Sequence, residues 1–349
     1  MDAELKKTGG FKSQGEFFVA ARKYFDGVHL DGRIDALYKA ALTEGTDSTG
    51  GVLVPQEWAA PIFNAALEGS VVRSRAQVLR MTSDTLNVKT LVDTDRSASV
   101  FGGVTLTWLK EGADEYATTV RPALGNLTLT AHKGVATCFV ANELEQDYDQ
   151  LGSLLTRAFG DAVRFYEDDA FLWGSGSGRP LGIMNAASLI TVARTNYSLV
   201  PDPVDIGEMA SRLLAGSWKN AVWLMNQKML YTWAAAVTTS GVNATSVIDL
   251  SAMTILGRPI IVTEHALAPG GPGDFVLADF SQYVIGDRDL YISASRHADY
   301  SSGTNGWFKD ETSWRLTIRV DGQPMLPAAI TPLRGGETLS PFVALTLSS

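Results

Sequence analysis

The 349-residue chain is 45% hydrophobic, sets 29 Lys and Arg against 38 Asp and Glu for a formal net charge of -9, and holds one cysteine, Cys138. That length suffices for about two domains of roughly 150 residues each, the lone cysteine excludes an intrachain disulfide framework, and the acidic balance excludes a protein whose bulk grips nucleic acid by neutralising phosphates. No apolar run approaches the roughly 18 residues of a membrane span, and the opening MDAELKKTGGFKSQGEF lacks the apolar centre of a signal peptide, so the chain reads as cytoplasmic.

Residues 1–48 are polar and broken by glycines, with one helical patch at 15–25, and read as an extended arm with little core of its own. From Gly50 the text GGVLVPQEWAAPIFNAALEGSVVRSRAQVLRM predicts a short strand, a helix with Pro61 in its first turns and a second apolar segment. Residues 85–140 read as strand, through the partial alternation of TLNVKTLV, GVTLTWLKEG and GNLTLTAHKGVATCFV. A hairpin this long and polar is marginal alone, because a two-stranded ribbon has nothing to bury its apolar face against.

Asn142 then offers a helix cap with Glu145 at the capping-box position, and Asp149 offers a second cap. Leu151, Leu154, Leu155, Ala158, Phe159, Ala162, Val163, Tyr166 and Ala170 recur at helical spacing and predict a helix of about 24 residues, roughly 36 Å long. Gly160 inside it costs ~1 kcal/mol against alanine, which implies close packing there. From about 190 to 300 the pattern mixes strand AVWLMN, helix QKMLYTWAAAV, strand RPIIVTE and the strand-rich DFVLADFSQYVIGDRDLYISAS, a separate α/β unit. The last regular element is a strand in which Trp314, Leu316, Ile318 and Val320 alternate with Arg315, Thr317 and Arg319, before a turn at Asp321-Gly322.

The stretch EDDAFLWGSGSGRPLGI (167–183) invites a metal or phosphate reading and does not sustain one. It follows a helix where a dinucleotide loop follows a strand, its glycines miss the G-x-G-x-x-G spacing, and no Gly-Lys dipeptide supports a Walker loop. Glu167, Asp168 and Asp169 are consecutive and splay about 100° apart on a helix, so the plain reading is a solvated helix end followed by a glycine stop. His29, His132, His265 and His297 form no i, i+4 pair and Cys138 has no Cys-x-x-Cys partner, so neither a metal site nor a cofactor is expected. The tryptophans read as core and interface anchors, with no basic residues interleaved for base stacking. Nothing local singles out a nucleophile, and no enzyme is expected. An arm, a projecting hairpin, a long helix and a compact second domain suit assembly.

TDSTGGVLVPQEW (46–58), SVVRSRAQVLRMTSDTLNVKT (70–90), VANELEQD (140–147), EDDAFLWGSGSGRPLGI, LGRPIIVTE (256–264) and FKDETSWRLTIRVDGQPMLPAAI (308–330), taken in order, resemble the major capsid protein of tailed bacteriophages. The resemblance covers roughly residues 46–332 and implies an α+β fold of the Hong Kong ninety-seven type. It implies an N-terminal arm (1–48), a first part of the peripheral domain (49–79), an extended loop (80–138) lying on a neighbouring subunit, and a peripheral domain with its spine helix (139–189). An axial domain (190–300) and the peripheral strand with the C-terminus (301–349) follow. On this reading 167–183 is the exit from the spine helix.

The function the resemblance implies is self-assembly into hexamers and pentamers of an icosahedral shell enclosing double-stranded DNA, without sequence-specific binding. The chain would be located in the virion capsid and assembled in the host cytoplasm. The same-fold alternative is an encapsulin, a compartment shell around cargo enzymes. Portal, scaffolding and decoration proteins are the further partners implied. Only about 45 residues precede Thr46 and they lack sustained heptads, so scaffolding is expected to be a separate protein or a segment missing from this chain. Lys89 and Lys110 fall in the loop region, but Asn305 is the last asparagine, so the isopeptide weld of some relatives is not expected. The inter-subunit contacts are expected from the hairpin's apolar residues Leu106, Trp108, Leu127 and Leu129.

Overall fold

The computed structural model describes residues 10–11, 14–25, 27, 31–43, 52–53, 69–91, 94–96, 108, 124–141, 148–195, 201–232, 248–249, 251–295 and 311–347. In chain order the helices are α1 (Gln14–Phe25), α2 (Gly32–Thr43), α3 (Tyr148–Trp173) and α4 (Pro203–Arg212). The strands are β1 (Val52–Leu53), β2 (Gln77–Arg80), β3 (Thr85–Leu91), β4 (Leu124–Thr130), β5 (His132–Ala141), β6 (Ile190–Ala193), β7 (Val222–Met225) and β8 (Ile248–Asp249). They continue with β9 (Thr254–Ile255), β10 (Arg258–Val262), β11 (Phe275–Ala278), β12 (Tyr283–Asp287), β13 (Tyr291–Ser295), β14 (Glu311–Pro324) and β15 (Phe342–Thr346). These elements belong to two compact units, residues 1–70, 131–167 and 287–320 in the first and 71–130, 168–286 and 321–349 in the second.

In the first unit β5, β14, β13 and β1 pair in that order as an antiparallel sheet. The expected alternation on β14 holds only in part: Trp314 and Leu316 are fully buried and Arg315 and Arg319 stay partly exposed, but Thr317 is buried and Ile318 is half-buried. The core face of this sheet meets Phe17, Phe18, Ala21, Ile34 and Leu37 from α1 and α2, and Leu155, Phe159 and Val163 from α3. Phe18 and Trp314 touch edge to face at 5.4 Å between ring centroids. Residues 14–43 therefore hold more core than expected of this stretch, because they form a second helix and send Phe17, Phe18, Ile34 and Leu37 into this core. Arg33 fastens it, donating to Gly10 O (2.8 Å), Glu16 (3.1 Å) and Asp31 (2.8 Å) while its guanidinium lies 4.2 Å from the Phe11 ring centroid.

Helix α3 has 26 residues, about 39 Å at 1.5 Å per residue. It starts at Tyr148, so Asp149 lies inside the first turn and is not the cap; Asn142 and Glu145 fall outside the described residues. Leu155, Phe159 and Val163 form the buried stripe, and Gly160 is buried as expected. Ala158 and Tyr166 do not join it, since the next inward turn belongs to Glu167, 6% exposed, and Tyr166 is left 71% exposed.

The second unit holds a mixed seven-stranded sheet in the order β6-β15-β11-β7-β10-β9-β8. β7 and β11 are buried along their whole lengths and read as unbroken apolar runs, the pattern of strands covered on both faces. Ile206 and Met209 of α4 join Trp223, Met225, Phe275, Leu277, Val343 and Leu345 in its core. The last regular element is β15, not the Trp314–Val320 strand: it lies parallel to β6 and antiparallel to β11, with Phe342, Val343, Ala344 and Leu345 fully buried.

The turn expected at Asp321-Gly322 is absent, and β14 runs straight through both residues. A Cβ at Gly322 would lie 2.7 Å from Tyr283 Oη and 2.9 Å from Phe171 Cε1, so this glycine serves close approach inside a strand. Asp321 is also committed, accepting the amides of Thr130 (2.6 Å) and Gly322 (2.8 Å). Tyr283 donates to Leu181 O at 2.8 Å, and burial, with Asp321's charge adding to it, pushes its hydroxyl pKa well up.

Candidate assembly interface

Strands β3 and β4 pair in register from Thr85↔Thr130 to Leu91↔Leu124, and the pleat sorts their side chains. Leu86 opposes Leu129 and Val88 opposes Leu127 on one face. The other carries polar pairs from Thr85 to Lys89, with Thr128 Oγ1 donating to Asn87 Oδ1 (2.7 Å) and Lys89 Nζ to Asn126 Oδ1 (2.5 Å), and ends on the pair Leu91 and Leu124. Among the described residues this ribbon has two strands and no third. Its base is anchored in the second unit by Thr130 on Asp321 and by Gln323 Nε2 donating to Thr128 O at 2.5 Å. Past β3 the chain is held again, since Thr331 donates to Thr94 O and Arg96 to Thr331 O, both at 2.9 Å.

The four expected contact residues separate on this geometry. Leu129 is fully buried in its own chain, and with Met81 it lies beside Gly286, where a Cβ would meet Met81 Sδ at 2.5 Å and Leu129 Cδ1 at 3.2 Å. Within its own chain Leu129 anchors the hairpin base. Leu127 is half-buried on the apolar face, Trp108 is 89% exposed, and Leu106 lies outside the described residues. Sequence reasoning passed over Phe165, 39% exposed, whose ring stands edge to face with Tyr166 at 5.4 Å. Adjacent aromatics on a helix point about 100° apart, so both could not have been core.

The acidic helix end is not solvated as expected. Asp168 is 2% exposed, and its carboxylate accepts the amides of Val71 (2.8 Å) and Val72 (3.0 Å). The glycine run does end the helix. Gly174 donates to Ala170 O (2.8 Å), and a Cβ on it would fall 2.1 Å from Pro180 O. The amides of Gly174, Gly176 and Gly182 are spent on Ala170, Pro180 and Gly174 carbonyls. Among the described residues no three His, Cys, Asp or Glu side chains gather for a metal.

The phage capsid family model matches residues 50–335. Among solved structures, the capsid of a native GTA particle computed with C5 symmetry superposes with a TM-score of 0.56 at 17% identity, covering 82% of this chain and 90% of that one. Mycobacterium phage Adephagia gives 0.55 at 19% identity, covering 80% and 91%, and Mycobacterium phage Bobi 0.53 at 18%, covering 80% and 91%. No curated protein sequence matches. The fold is thus the mixed α+β architecture of Hong Kong ninety-seven type that the sequence implied. With a family match over more than four-fifths of its length, the chain belongs to the phage capsid family and is a capsid shell protein.

Proposed function

We propose that copies of this chain form hexamers and pentamers of an icosahedral shell around the double-stranded DNA of a tailed bacteriophage. The observation that carries this reading is the β3–β4 ribbon, two strands with one apolar face bearing Leu86, Val88 and Leu127. Such a ribbon is marginal alone and gains a surface when laid on a neighbouring copy. In this proposal residues 1–48 are the arm and 80–138 the extended loop. Residues 49–79, 139–189 and 301–349 serve the peripheral domain and 190–300 the axial domain, whose sheet also takes in β15. The net charge of -9 suits DNA that is contained and not clasped. The exposed Phe165 and Tyr166 on α3 and Trp108 are further surfaces for a neighbour. A portal, a scaffolding protein and decoration proteins are the other partners of this reading, with assembly in the host cytoplasm.

Electron cryomicroscopy and nuclease treatment of purified particles test it. Closed shells with five-fold and six-fold clusters and nuclease-resistant double-stranded DNA are expected. Shells that hold cargo enzymes and no DNA would favour the compartment alternative. A chain that stays monomeric in the host and at high concentration would overturn both.

A further inference from the structure

Among the described residues, Met253 (φ 50°) and Leu256 (φ 49°) are the non-glycine residues in the left-handed region, a conformation disfavoured for any side chain with a Cβ. Both lie in the β8-β9-β10 meander at one edge of the seven-stranded sheet. Met253 packs against the core that contains Trp223 and Ile255, so its strain is offset inside the chain. Leu256 carries the same strain at the tip and is 37% exposed, so part of its side chain is left for a further contact.

Leu256 and Gly257 (φ 72°) form the two-residue turn between β9 and β10, with Ile255 opposite Arg258. Positive φ at both central residues is the geometry for which Asn-Gly is favoured. Asparagine would relieve the strain and hydrate the tip, and leucine does neither. A leucine outlier at this tip, with part of its side chain open to solvent, points to function.

The tip is also held stiffly. Arg258 donates to Trp218 O (3.2 Å) and Lys219 O (2.8 Å) with its guanidinium 5.8 Å from the Trp218 ring centroid, and Ile260 donates to Met253 O (2.8 Å). A knob fixed before binding loses little freedom on binding. The charge beside it on β10, Arg258, is cationic on a chain of net charge -9, so the average surface of another copy is complementary to it.

We propose that Leu256 is an apolar knob seated in a second copy of this chain, so that its backbone strain is offset on assembly and not on folding. This rests on the shell-forming function proposed above. The contact is heterologous, tip into a different patch, the type that closes rings.

Leu256→Asn separates the two roles. Its isolated subunit should melt at the wild-type temperature or above, while the concentration needed for assembly rises about tenfold, the loss of one apolar contact per interface. Leu333→Asn, at a loop leucine 59% exposed, should leave assembly unchanged. A photoreactive benzoylphenylalanine at position 256 should cross-link chain to chain in particles and not in dilute subunits. A Leu256→Asn chain that assembles at the wild-type concentration, or that melts well below wild type, would overturn the proposal, as would absence of the cross-link. Wild-type chain that never assembles would instead overturn the shell reading.

Discussion

Arg194 and Asp274 meet at 2.5 Å with side chains 1% and 0% exposed, so a full ion pair is shut inside the second unit. They stand on either side of the end of β15: Arg194 donates its amide to Thr346 O (2.9 Å), and Gly273, next to Asp274, donates to Leu345 O (2.8 Å). Asp274 also accepts the Gly270 amide at 2.7 Å, which orders the ALAPGGPGD loop. Burial pushes the Asp274 carboxyl up, while the Gly270 amide and Arg194 pull it back. Asp274→Asn leaves a buried guanidinium without its counter-charge and should lower stability by about 3–5 kcal/mol in denaturant unfolding. Replacing both residues with apolar ones of similar volume should recover most of that loss. A single-variant loss under about 1 kcal/mol would show that the pair is not what closes this end of the sheet.

Asp168 yields a second test, because its buried carboxylate holds the Val71 and Val72 amides. Asp168→Ala should cost about 1–3 kcal/mol for each buried amide left unpaired, and Asp168→Asn should retain part of this through its one carbonyl oxygen. Asp169, half-exposed next to it, should tolerate alanine within about 0.5 kcal/mol. Equal losses at the two positions in thermal unfolding would contradict the staple.

Cys138 sits on the core face of β5, and burial pushes its thiol up to about 11 from an ordinary 9.0. A raised thiol pKa means that folding favours the protonated form, so this contribution to stability is whole below pH 9 and fades as pH rises toward 11. At pH 8 the native chain should react slowly with a disulfide reagent and rapidly once unfolded in urea. Labelling at the same rate in both states would place the thiol at the surface.

What the sequence disclosed and what it hid follow one physical division. Elements with one wet face announced themselves, Leu155, Phe159 and Val163 by helical spacing, while period two on Trp314 to Val320 was right at Trp314, Leu316 and Val320 and missed the burial of Thr317. The hairpin's sorting of Leu86, Val88 and Leu127 from Asn87, Lys89 and Asn126 was legible for the same reason. β15 was hidden because both its faces are covered, and Phe342 to Leu345 carry no alternation to read. Helix α4 did carry local signals, Pro203 in its first turn and Asp205 accepting the Asp202 amide at 3.0 Å, which a closer reading of the capping pattern would have found. Asp168 lies 96 residues from Val72, and Gly322 is 39 residues from Tyr283, so a buried acid looked solvated and a close approach looked like a turn. Along the hairpin, nothing local marks Leu129 as a buried anchor and Leu127 as half-buried.

The last prediction concerns what holds assembled particles together. An isopeptide weld needs an amine, a carboxamide and a carboxylate in an apolar pocket to move the proton as ammonia leaves. Lys89 does touch a carboxamide, but it is Asn126 of its own hairpin, at 2.5 Å on an exposed polar face. In the terminal strand region Gln323 gives its amide nitrogen to Thr128 O within the same chain. Both carboxamides are engaged within one copy, so contact between copies is expected to be noncovalent, through apolar side chains that contribute about 1.5–3 kcal/mol each when fully buried. Particles boiled in denaturing detergent should run as one band near the 37.5 kDa of the single chain, and the intact mass should equal that of the sequence with no ammonia lost. Trp108→Ala and Leu127→Ala should raise the concentration needed for assembly, whereas Lys110→Ala and Lys89→Ala should leave the detergent pattern unaltered. A ladder of detergent-resistant oligomers that disappears in a lysine variant would reverse the account.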